Sequence, residues 1–457
     1  MKLGVVILAA GQGTRMRSAL PKVLHRLANR PLLRHVVDTS NELDPAQTII
    51  VYGHGGEAVQ QAFSSDNDLL WVEQSQQLGT GHAVDQAIPA LTDVDRVLVL
   101  YGDVPLIQTA TLSSLIHVAS ETDLALLTVN LENPTGYGRI VRDAQGRVQR
   151  IVEQKDATPE ELAITEINTG FLVADKKRLT NWLSCLDNNN AQNEYYLTDI
   201  VELAVADGID VKAAQPDDAT EVMGVNDRSQ LARLERYYQR NQAEALMQKG
   251  VALLDPLRFD LRGELTAGQD VQIDINVIIE GRVELGDGVR IGANSVIRNC
   301  SIADGVQILE NCVIEDSTIG AESIIGPFSR IRPGTKLAGQ NKVGNFVEIK
   351  KSDIDEGSKI NHLSYIGDSL VGKNVNIGAG TITCNYDGAN KFQTIIGDDV
   401  FIGSDSQLVA PVKIGTGATI GAGSTITADT PPDKLSLSRS KQFSVKGWKR
   451  PVKKTKT

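Results

Sequence analysis

The chain has 457 residues and a net charge of −11; 41% of its residues are hydrophobic and 23% are charged. This length is too great for a single hydrophobic core and predicts about two to four domains. The acidic balance argues against general nucleic-acid binding, and no apolar run approaches the roughly 18 residues of a membrane-spanning helix. The cysteines show no paired spacing, which predicts reduced thiols and a cytoplasmic location.

The first part of the chain, up to residue 227, alternates strand-like and helix-like segments, as in an α/β domain. Apolar runs at residues 3–10, 48–52 and 96–101 predict strands. Residues 32–43 and 81–90 predict two of the helices between them.

A glycine-rich loop, LAAGQGTRM at residues 8–16, follows the first predicted strand. The bare N–H groups of Gly-x-Gly can approach phosphate oxygens, and Arg15 and Lys22 add positive charge. The loop is not a Walker A motif, and it lacks the third glycine of a dinucleotide fingerprint. With the Pro21-Lys22 pair, it resembles the signature of nucleotidylyltransferases that act on sugar phosphates.

A second signal is Tyr101-Gly102-Asp103, at the end of a predicted strand. Ligands of open α/β sheets bind at the carboxyl ends of strands, so Asp103 is expected to hold Mg²⁺. The alternative is an aspartate that caps a turn. Asn226 is the candidate for a second oxygen ligand. Phosphoryl-type transfer needs mainly positioning and charge neutralisation, which Arg15 and Lys22 would supply.

Residues 228–249 predict one long helix that links the first domain, residues 1–227, to a second one at residues 250–457. From Ile279 to Ile426 an Ile, Val or Leu recurs every six residues and is often followed by Gly. The step sometimes falls to five, so that two spans (297–314 and 349–366) are seventeen residues long. Three faces per coil with one shortened corner indicate a triangular parallel β-helix. The residues that follow the predicted β-helix end in a basic tail.

Two irregularities of the repeat predict a site. His362 is third in its hexapeptide, an outward position near a corner, where a solitary histidine would ordinarily be plain surface. Cations and donors at nearly the same phase point instead to a general base. The repeat is also interrupted between Ile377 and Ile396, and such insertions often mark a binding face, although a tolerated surface loop is the alternative. The backbone N–H groups in the turn from Gly378 to Gly380 are candidates for stabilising an oxyanion.

Long motifs in both halves carry a resemblance to a known family: LAAGQGTRM, QLGTGHA, LYGDVPL, PTGYGRI, EINTG, NVNIGAGTITCNYDGANK and FIGSD. Together they resemble the bacterial bifunctional enzymes that combine N-acetylglucosamine-1-phosphate uridylyltransferase and glucosamine-1-phosphate N-acetyltransferase. The resemblance implies a Rossmann-like α/β nucleotidyltransferase domain followed by a left-handed parallel β-helix with the acetyltransferase. It also implies synthesis of UDP-N-acetylglucosamine for peptidoglycan and lipopolysaccharide, with Mg²⁺ as cofactor and UTP and acetyl-CoA as co-substrates. The assembly would be a homotrimer through the β-helix, with small-molecule substrates and neither nucleic-acid binding nor membrane insertion.

The same resemblance assigns residues. Catalysis falls to His362, Arg15 and Lys22, and Mg²⁺ to Asp103 and Asn226. The nucleotide sugar would be bound by Leu8, Ala9, Ala10, Gly11, Lys22, Gln74, Gly79, Thr80, Tyr101, Gly102, Asp103, Gly138, Glu153, Asn168 and Asn226. Glucosamine 1-phosphate would be bound by Arg332, Lys350, Tyr365, Asn376 and Lys391, and acetyl-CoA by Ala379, Asn385, Tyr386, Ser404, Ala422 and Arg439.

Two other functions would fit the same two domains. One is a sugar-nucleotide pyrophosphorylase whose β-helix serves only assembly and regulation, and the other is a non-catalytic subunit of an exchange factor. Both predict a β-helix without a base. His362 beside the TCNYDG insertion argues against both, and Asp103 with Lys22 argues against the second.

Overall fold

The computed structural model of the protein describes residues 2–11, 13–53 and 55–453, so Gln12 of the glycine-rich loop and the last four residues of the basic tail lie outside the described residues. The chain divides into two compact units, residues 1–238 and 239–457. The division falls within the helix Arg228–Gln248, which the sequence predicts over 228–249. The boundaries at residues 227 and 250 remain predictions. In the described part of the chain, no helix is long and apolar enough to cross a membrane.

The first unit is built on a nine-stranded sheet in which four neighbouring strands are parallel, while Glu166–Asp175 runs antiparallel to the strands on both of its sides. Alternate residues of its first strand, Leu3–Ala9, pack into two different cores: Val5 and Ile7 lie in one, and Val6 and Leu8 in the other. A strand covered on both faces is a continuous apolar run rather than an alternating one. The α/β prediction for this unit is confirmed.

The strands of this sheet are, in chain order, Leu3–Ala9, Gln47–Tyr52, Leu69–Glu73, Arg96–Tyr101, Leu124–Asn130, Arg139–Arg142, Val148–Val152, Glu166–Asp175 and Lys212–Ala214. The α-helices up to the unit's end are Leu32–Asn41, Gly56–Ala62, Thr80–Ala87, Thr109–Ala119, Pro159–Leu162, Lys176–Ser184, Ile200–Ala206 and Arg228–Gln248. A short ribbon joins Arg26–Leu27 to Arg30–Pro31.

The second unit is a parallel β-helix with three columns of buried apolar side chains, as predicted. In one column Ile279, Ile297, Ile314 and Ile331 belong to successive coils and are fully buried. Apart from the coil that carries the insertion, successive coils are 17 or 18 residues long, as the steps from Ile273 to Ile291 and from Ile291 to Ile308 show. Cys312 is buried in this core, and all four cysteines are free, as the sequence predicts.

Two sheets form the walls of the β-helix. One contains Ala252–Leu253, Gln272–Ile273, Arg290–Ile291, Gln307–Ile308, Ile324–Ile325, Lys342–Asn345, Lys359–His362, Asn376–Ile377, Phe401–Ile402, Thr419–Ile420 and Leu435–Ser436. The other contains Phe259–Ala267, Val277–Leu285, Val296–Arg298, Ser301–Ile302, Val313–Glu315, Thr318–Ile319, Arg330–Arg332, Lys336–Leu337, Glu348–Lys350, Asp353–Ile354, Tyr365–Gly367, Ser369–Val371, Ile382–Cys384, Thr394–Ile396, Gln407–Val409, Val412–Ile414 and Thr425–Ile426.

Glycine recurs after the buried residue because the chain turns a corner there against the next coil. A Cβ on Gly320 would lie 2.0 Å from the carbonyl oxygen of Ala338 in the following coil. No side chain fits at that separation, so close stacking of coils requires glycine at this position.

The β-helix is longer than the six-residue period suggests. It begins at Ala252–Leu253 and Phe259–Ala267, before Ile279, and it ends with Leu435–Ser436, beyond Ile426. The first coil escapes the Ile, Val and Leu period because Ala267 occupies the position that Leu285 holds in the next coil. The interruption after Ile377 is also narrower than predicted, since the coil continues through Ile382–Cys384.

Removing buried volume from one column is expected to destabilise the β-helix. Ile297→Ala deletes atoms from a side chain that is 0% exposed and should cost about 2–5 kcal/mol. Ile382→Ala, in the same sheet but 42% exposed, is the matched control and should cost well under 1 kcal/mol. Urea unfolding followed by circular dichroism measures both, and equal shifts of the two midpoints would contradict the assignment of the core.

Candidate active sites

A cavity of about 560 Å³ opens at the carboxyl ends of the parallel strands of the first unit. Most of the predicted nucleotide-sugar residues line it: Leu8, Ala9, Ala10, Gly11, Lys22, Gln74, Gly79, Thr80, Tyr101 and Asp103. Gln77 and Glu194 line it too and were not predicted. Gln77 is the first residue of the motif QLGTGHA, and its side-chain amide donates to the carbonyl of Ala10. No motif in the sequence marks Glu194.

Four predicted residues, of which two are cations, lie in contact with one another in this unit. The Lys22 ammonium contacts the Asp103 carboxylate, and both side chains are largely buried. Asn226 Oδ1 lies 3.4 Å from Lys22 Nζ and accepts a hydrogen bond of 2.8 Å from Arg15 Nη2. Two hard oxygen donors, Asp103 and Asn226, therefore already converge on a positive charge, and this donor set fits Mg²⁺.

The start of the long helix fixes Asn226. Its N–H donates to Gln230 Oε1 at 2.6 Å, and the N–H of Gln230 donates to Asp227 Oδ1 at 2.8 Å, an arrangement related to a capping box. The neighbouring Val225 N–H donates to the carbonyl of Asp103 at 2.9 Å. The two predicted metal ligands are thus joined through the backbone as well.

Gly79 is required by its backbone. Its φ is +110°, and a Cβ there would lie 2.6 Å from the carbonyl oxygen of Tyr195. The buried Gln74 side chain donates to the Gly79 carbonyl at 2.9 Å, so these two predicted residues form one rigid edge of the cavity.

The residues predicted for the sugar end do not line this cavity, but they lie together. The N–H of Asn168 donates to the Gly138 carbonyl at 2.9 Å, and Glu153 Oε1 would be 3.3 Å from a Cβ on Gly138. Burial raises the pKa of Glu153, although a hydrogen bond from the Thr198 hydroxyl opposes the shift. Tyr101, whose pKa is raised by burial and by the Glu153 carboxylate, lines both the large cavity and a small one that Asn168 lines.

Gly102 does not line the cavity. Its N–H donates to the Leu8 carbonyl at 2.9 Å, and a Cβ there would lie 2.9 Å from Leu33. Its contacts therefore give it a role in packing.

Cations gather on one wall of the β-helix. Arg332 and Lys350 are register partners on adjacent coils, and Arg332 pairs with Glu348 at 2.7 Å. The nearby Lys350 ammonium lowers the pKa of Lys391, and the Asp368 carboxylate opposes that shift. Asp368 Oδ2 lies 4.0 Å from Lys350 Nζ. A dianionic phosphate would be attracted to the cations gathered here. Tyr365 is the register partner of Glu348 on the same wall.

Asn376 lies on the other sheet of the β-helix, where its register partner is Lys359. The structure therefore does not place it on the wall that carries Arg332 and Lys350. His362 is exposed at the end of the strand Lys359–His362, and its Nδ1 lies 3.0 Å from Asn345 Oδ1. Asn345 was not among the predicted residues.

Four of the residues predicted for acetyl-CoA, namely Ala379, Ser404, Ala422 and Arg439, follow one corner of the β-helix. Because Ile360, Ile377, Ile402 and Ile420 are successive register partners, the residues two positions later also stack, namely His362, Ala379, Ser404 and Ala422. At ~4.8 Å per coil this column extends about 14 Å. Arg439 Nη1 donates to the Ala422 carbonyl at 2.7 Å and ends it. The column has a base at one end, small side chains in the middle and a guanidinium at the other end.

The inserted residues form a small ordered loop. Asn385 is buried and donates to Asp368 Oδ2 at 2.5 Å, while Tyr386 is 60% exposed and forms an antiparallel bridge with Lys391. The loop therefore carries the Lys391 ammonium to Lys350.

The structure narrows the predicted oxyanion donors of the 378–380 turn. The N–H of Gly378 donates to the Ile402 carbonyl and that of Gly380 to the His362 carbonyl, so both are already used in the stacking of coils. The Ala379 N–H, which makes no such bond among the described residues, remains the candidate.

The chain is similar over its whole length to curated relatives. Residues 5–166 match the MobA-like NTP transferase domain, residues 261–341 the GMPPB C-terminal domain, and residues 393–428 the bacterial transferase hexapeptide (six repeats). A bifunctional protein GlmU of Azoarcus sp. (strain BH72) is 60% identical over 98% of this chain and 99% of its own. Those of Methylococcus capsulatus, 60% identical over 100% of this chain and 99% of its own, and of Ralstonia nicotianae, 58% identical over 99% and 100%, are as similar.

Asp199 gives a prediction with a definite pH dependence. Burial, reinforced by the nearby carboxylates of Glu153 and Asp187, raises its pKa to about 6. A carboxyl that ionises less readily in the folded state destabilises the fold increasingly as pH rises from about 4 to about 6. Asp199→Asn should therefore stabilise the protein by about 1 kcal/mol at pH 7.5, once its partial exposure is allowed for, and by less at pH 4.5.

Thermal unfolding at the two pH values tests this. Asp217→Asn, at an exposed aspartate of the same unit, is the control and should show no such gain. A gain for Asp199→Asn that is equal at both pH values would rule out the electrostatic cause.

Proposed function

The chain belongs to the family of the bifunctional protein GlmU, and we propose that its two units catalyse two successive steps of UDP-N-acetylglucosamine synthesis. The second unit transfers the acetyl group of acetyl-CoA to the amine of glucosamine 1-phosphate. The first transfers UMP from UTP to the resulting N-acetylglucosamine 1-phosphate and releases pyrophosphate. The product supplies peptidoglycan and lipopolysaccharide synthesis. The observation that carries the proposal is that each unit contains a separate site, the Lys22–Asp103 cavity in one and the His362 column in the other.

In uridylyl transfer, an oxygen of the sugar 1-phosphate bonds to the α-phosphorus of UTP while the bond to pyrophosphate breaks. Arg15 and Lys22 stabilise negative charge on the phosphates as that charge moves to the leaving group. Gln74 and Gly79 contact the uridine end of the substrate, and Gly138, Glu153 and Asn168 contact its sugar end. Mg²⁺ held by Asp103 and Asn226 would neutralise phosphate charge when bound.

In acetyl transfer, the ammonium of glucosamine 1-phosphate must first lose a proton, and the outward His362 is placed to accept it. The free amine then bonds to the thioester carbonyl carbon and loses a second proton, the C–S bond breaks, and the CoA sulfur leaves as a thiolate that takes up a proton. Lys350 and Lys391, with Arg332, hold the sugar phosphate. The column from Ala379 to Ala422 accommodates the extended arm of acetyl-CoA, and Arg439 at its end suits the phosphates of CoA.

The proposal includes a homotrimer assembled through the β-helix, in which Asn376 would reach a site from its own sheet. An open groove of about 600 Å³ along the β-helix, lined by Gly320, Ala338, Leu370 and Gly372 among others, supports packing against another copy. UTP and acetyl-CoA are cytoplasmic metabolites, so the reactions are placed there.

His362→Ala should separate the two activities. Removal of the base should lower acetyl transfer about 10²–10⁴-fold, because the amine remains protonated. Release of pyrophosphate from UTP and N-acetylglucosamine 1-phosphate should stay close to normal. Free thiol and pyrophosphate are followed in separate assays of the full chain, and loss of both activities together would refute the two-site proposal.

Asp103→Asn should have the opposite effect. The substitution removes the carboxylate next to Lys22 and is expected to lower pyrophosphate release about 10²–10³-fold, as loss of a positioned electrostatic group does. Thiol release from acetyl-CoA should continue unchanged. Asp93→Asn, at an exposed aspartate of the same unit, is the control. Near-normal uridylyl transfer in Asp103→Asn would show that this carboxylate is a turn residue.

A further inference from the structure

The His362 side chain has its orientation set by Asn345. The two residues are register partners on adjacent coils, and Nδ1 of the imidazole lies 3.0 Å from Asn345 Oδ1. The backbone around them is fixed as well: the Leu363 N–H donates to the Asn345 carbonyl at 3.1 Å, and the His362 carbonyl accepts from Gly380 N–H at 3.2 Å and from Ser364 Oγ at 2.8 Å. With the backbone fixed, the imidazole can still rotate about its side-chain bonds, and the contact with Asn345 limits this rotation.

This contact also selects a tautomer. A neutral imidazole carries its proton on one nitrogen and a lone pair on the other. An amide oxygen only accepts, so it requires the proton on Nδ1 and leaves the lone pair on Nε2. We propose that Asn345 is a positioning residue for acetyl transfer, which holds His362 as the Nδ1–H tautomer so that Nε2 accepts the proton of the substrate ammonium. The inference rests on the acetyltransferase function proposed above.

The backbone conformation does not account for the asparagine at this position. Asn294 and Asn311, at the same corner of earlier coils, have φ of +61° and +60°, a backbone that favours asparagine. In the coil of Asn345 the left-handed position is taken by Phe346, with φ of +56°. Asn345 is therefore not selected by its backbone, and its contact with His362 accounts for it.

Charged groups on the flanking strands lie at the far ends of those strands. Lys342 and Lys359 are register partners three positions before the Asn345–His362 pair, and both are exposed. Asn376–Ile377, the strand on the other side, contributes no charge. On the strands paired with Lys359–His362, Asn345 is therefore the polar side chain within hydrogen-bonding distance of the ring.

The test compares the wild-type full-length protein with Asn345→Ala, Asn345→Asp and the control Glu310→Ala. Glu310 occupies the corresponding corner two coils earlier, where its carbonyl accepts from Phe328 N–H as that of Asn345 does from Leu363. Asn345→Ala should lower kcat for acetyl transfer at least about tenfold, because in fewer molecules is His362 the Nδ1–H tautomer in the orientation that accepts the proton. The KM values and uridylyl transfer should change less than about twofold, and Glu310→Ala should resemble wild type.

Asn345→Asp keeps the acceptor but adds a negative charge that favours imidazolium. Its kcat should approach that of wild type at high pH, with the acid limb of the pH profile moved to higher pH. Nitrogen-15 spectra of His362 should show the lone pair on Nε2 in wild type and in Asn345→Asp, and a mixture of tautomers in Asn345→Ala.

Three results would overturn the inference: an unchanged kcat in Asn345→Ala, a proton on Nε2 of neutral wild-type His362, or no movement of the acid limb in Asn345→Asp. The wild-type spectrum shows which nitrogen of His362 carries the proton, so it tests the inference even if a variant fails to fold. Failure of the proposed function is distinct, since wild type would then transfer no acetyl group or His362→Ala would remain active.

Discussion

Each coil of the β-helix can remove its Ile, Val and Leu side chains from water only if it stacks in register on the coils before and after it. Full burial of one such side chain contributes about 1.5–3 kcal/mol, and the three columns repeat this in every coil. The same stacking joins backbone N–H and C=O groups of neighbouring coils in hydrogen bonds. A shift by one residue would therefore lose both the burial of the side chains and these hydrogen bonds. The interior thus fixes the register, and the outward positions inherit it. His362, Ala379, Ser404 and Ala422 form a straight column because the buried isoleucines two residues earlier do.

The first unit meets a related constraint with a sheet. Its central strands are covered on both faces, so polar chemistry is confined to their carboxyl ends, where Asp103 and the glycine-rich loop meet. There the Lys22 ammonium and the Asp103 carboxylate neutralise each other in a largely buried place. The long helix contributes to the same site, because Gln230 in its first turn holds the backbone of Asn226.

What could be predicted from the sequence is what depends on local pattern. The period of six gives the columns and the outward direction of His362, and the apolar run before Tyr101-Gly102-Asp103 gives a strand with a ligand at its end. Contacts that depend on which distant residues come together were not accessible. Glu194 reaches the cavity because Tyr195 hydrogen-bonds back to Leu78 and Gly81. Asn345 meets His362 only because the coil between them has 17 residues, and the N–H groups of Gly378 and Gly380 are consumed by stacking that no single hexapeptide reveals.

The occurrence of both 17- and 18-residue coils also determines which changes of length such a chain can survive. The coil that ends at Ile308 is one residue shorter than the coil that ends at Ile291. One residue can be lost at a corner in this way because the flat faces on either side keep their register. A deletion within a face would turn every later side chain of that face inside out. Between Ile377 and Ile402 the step is 25 residues, and the extra length projects as the loop that carries Lys391. Corners are thus the places where a lineage can insert or delete residues, and hence acquire new binding groups, without refolding the rest.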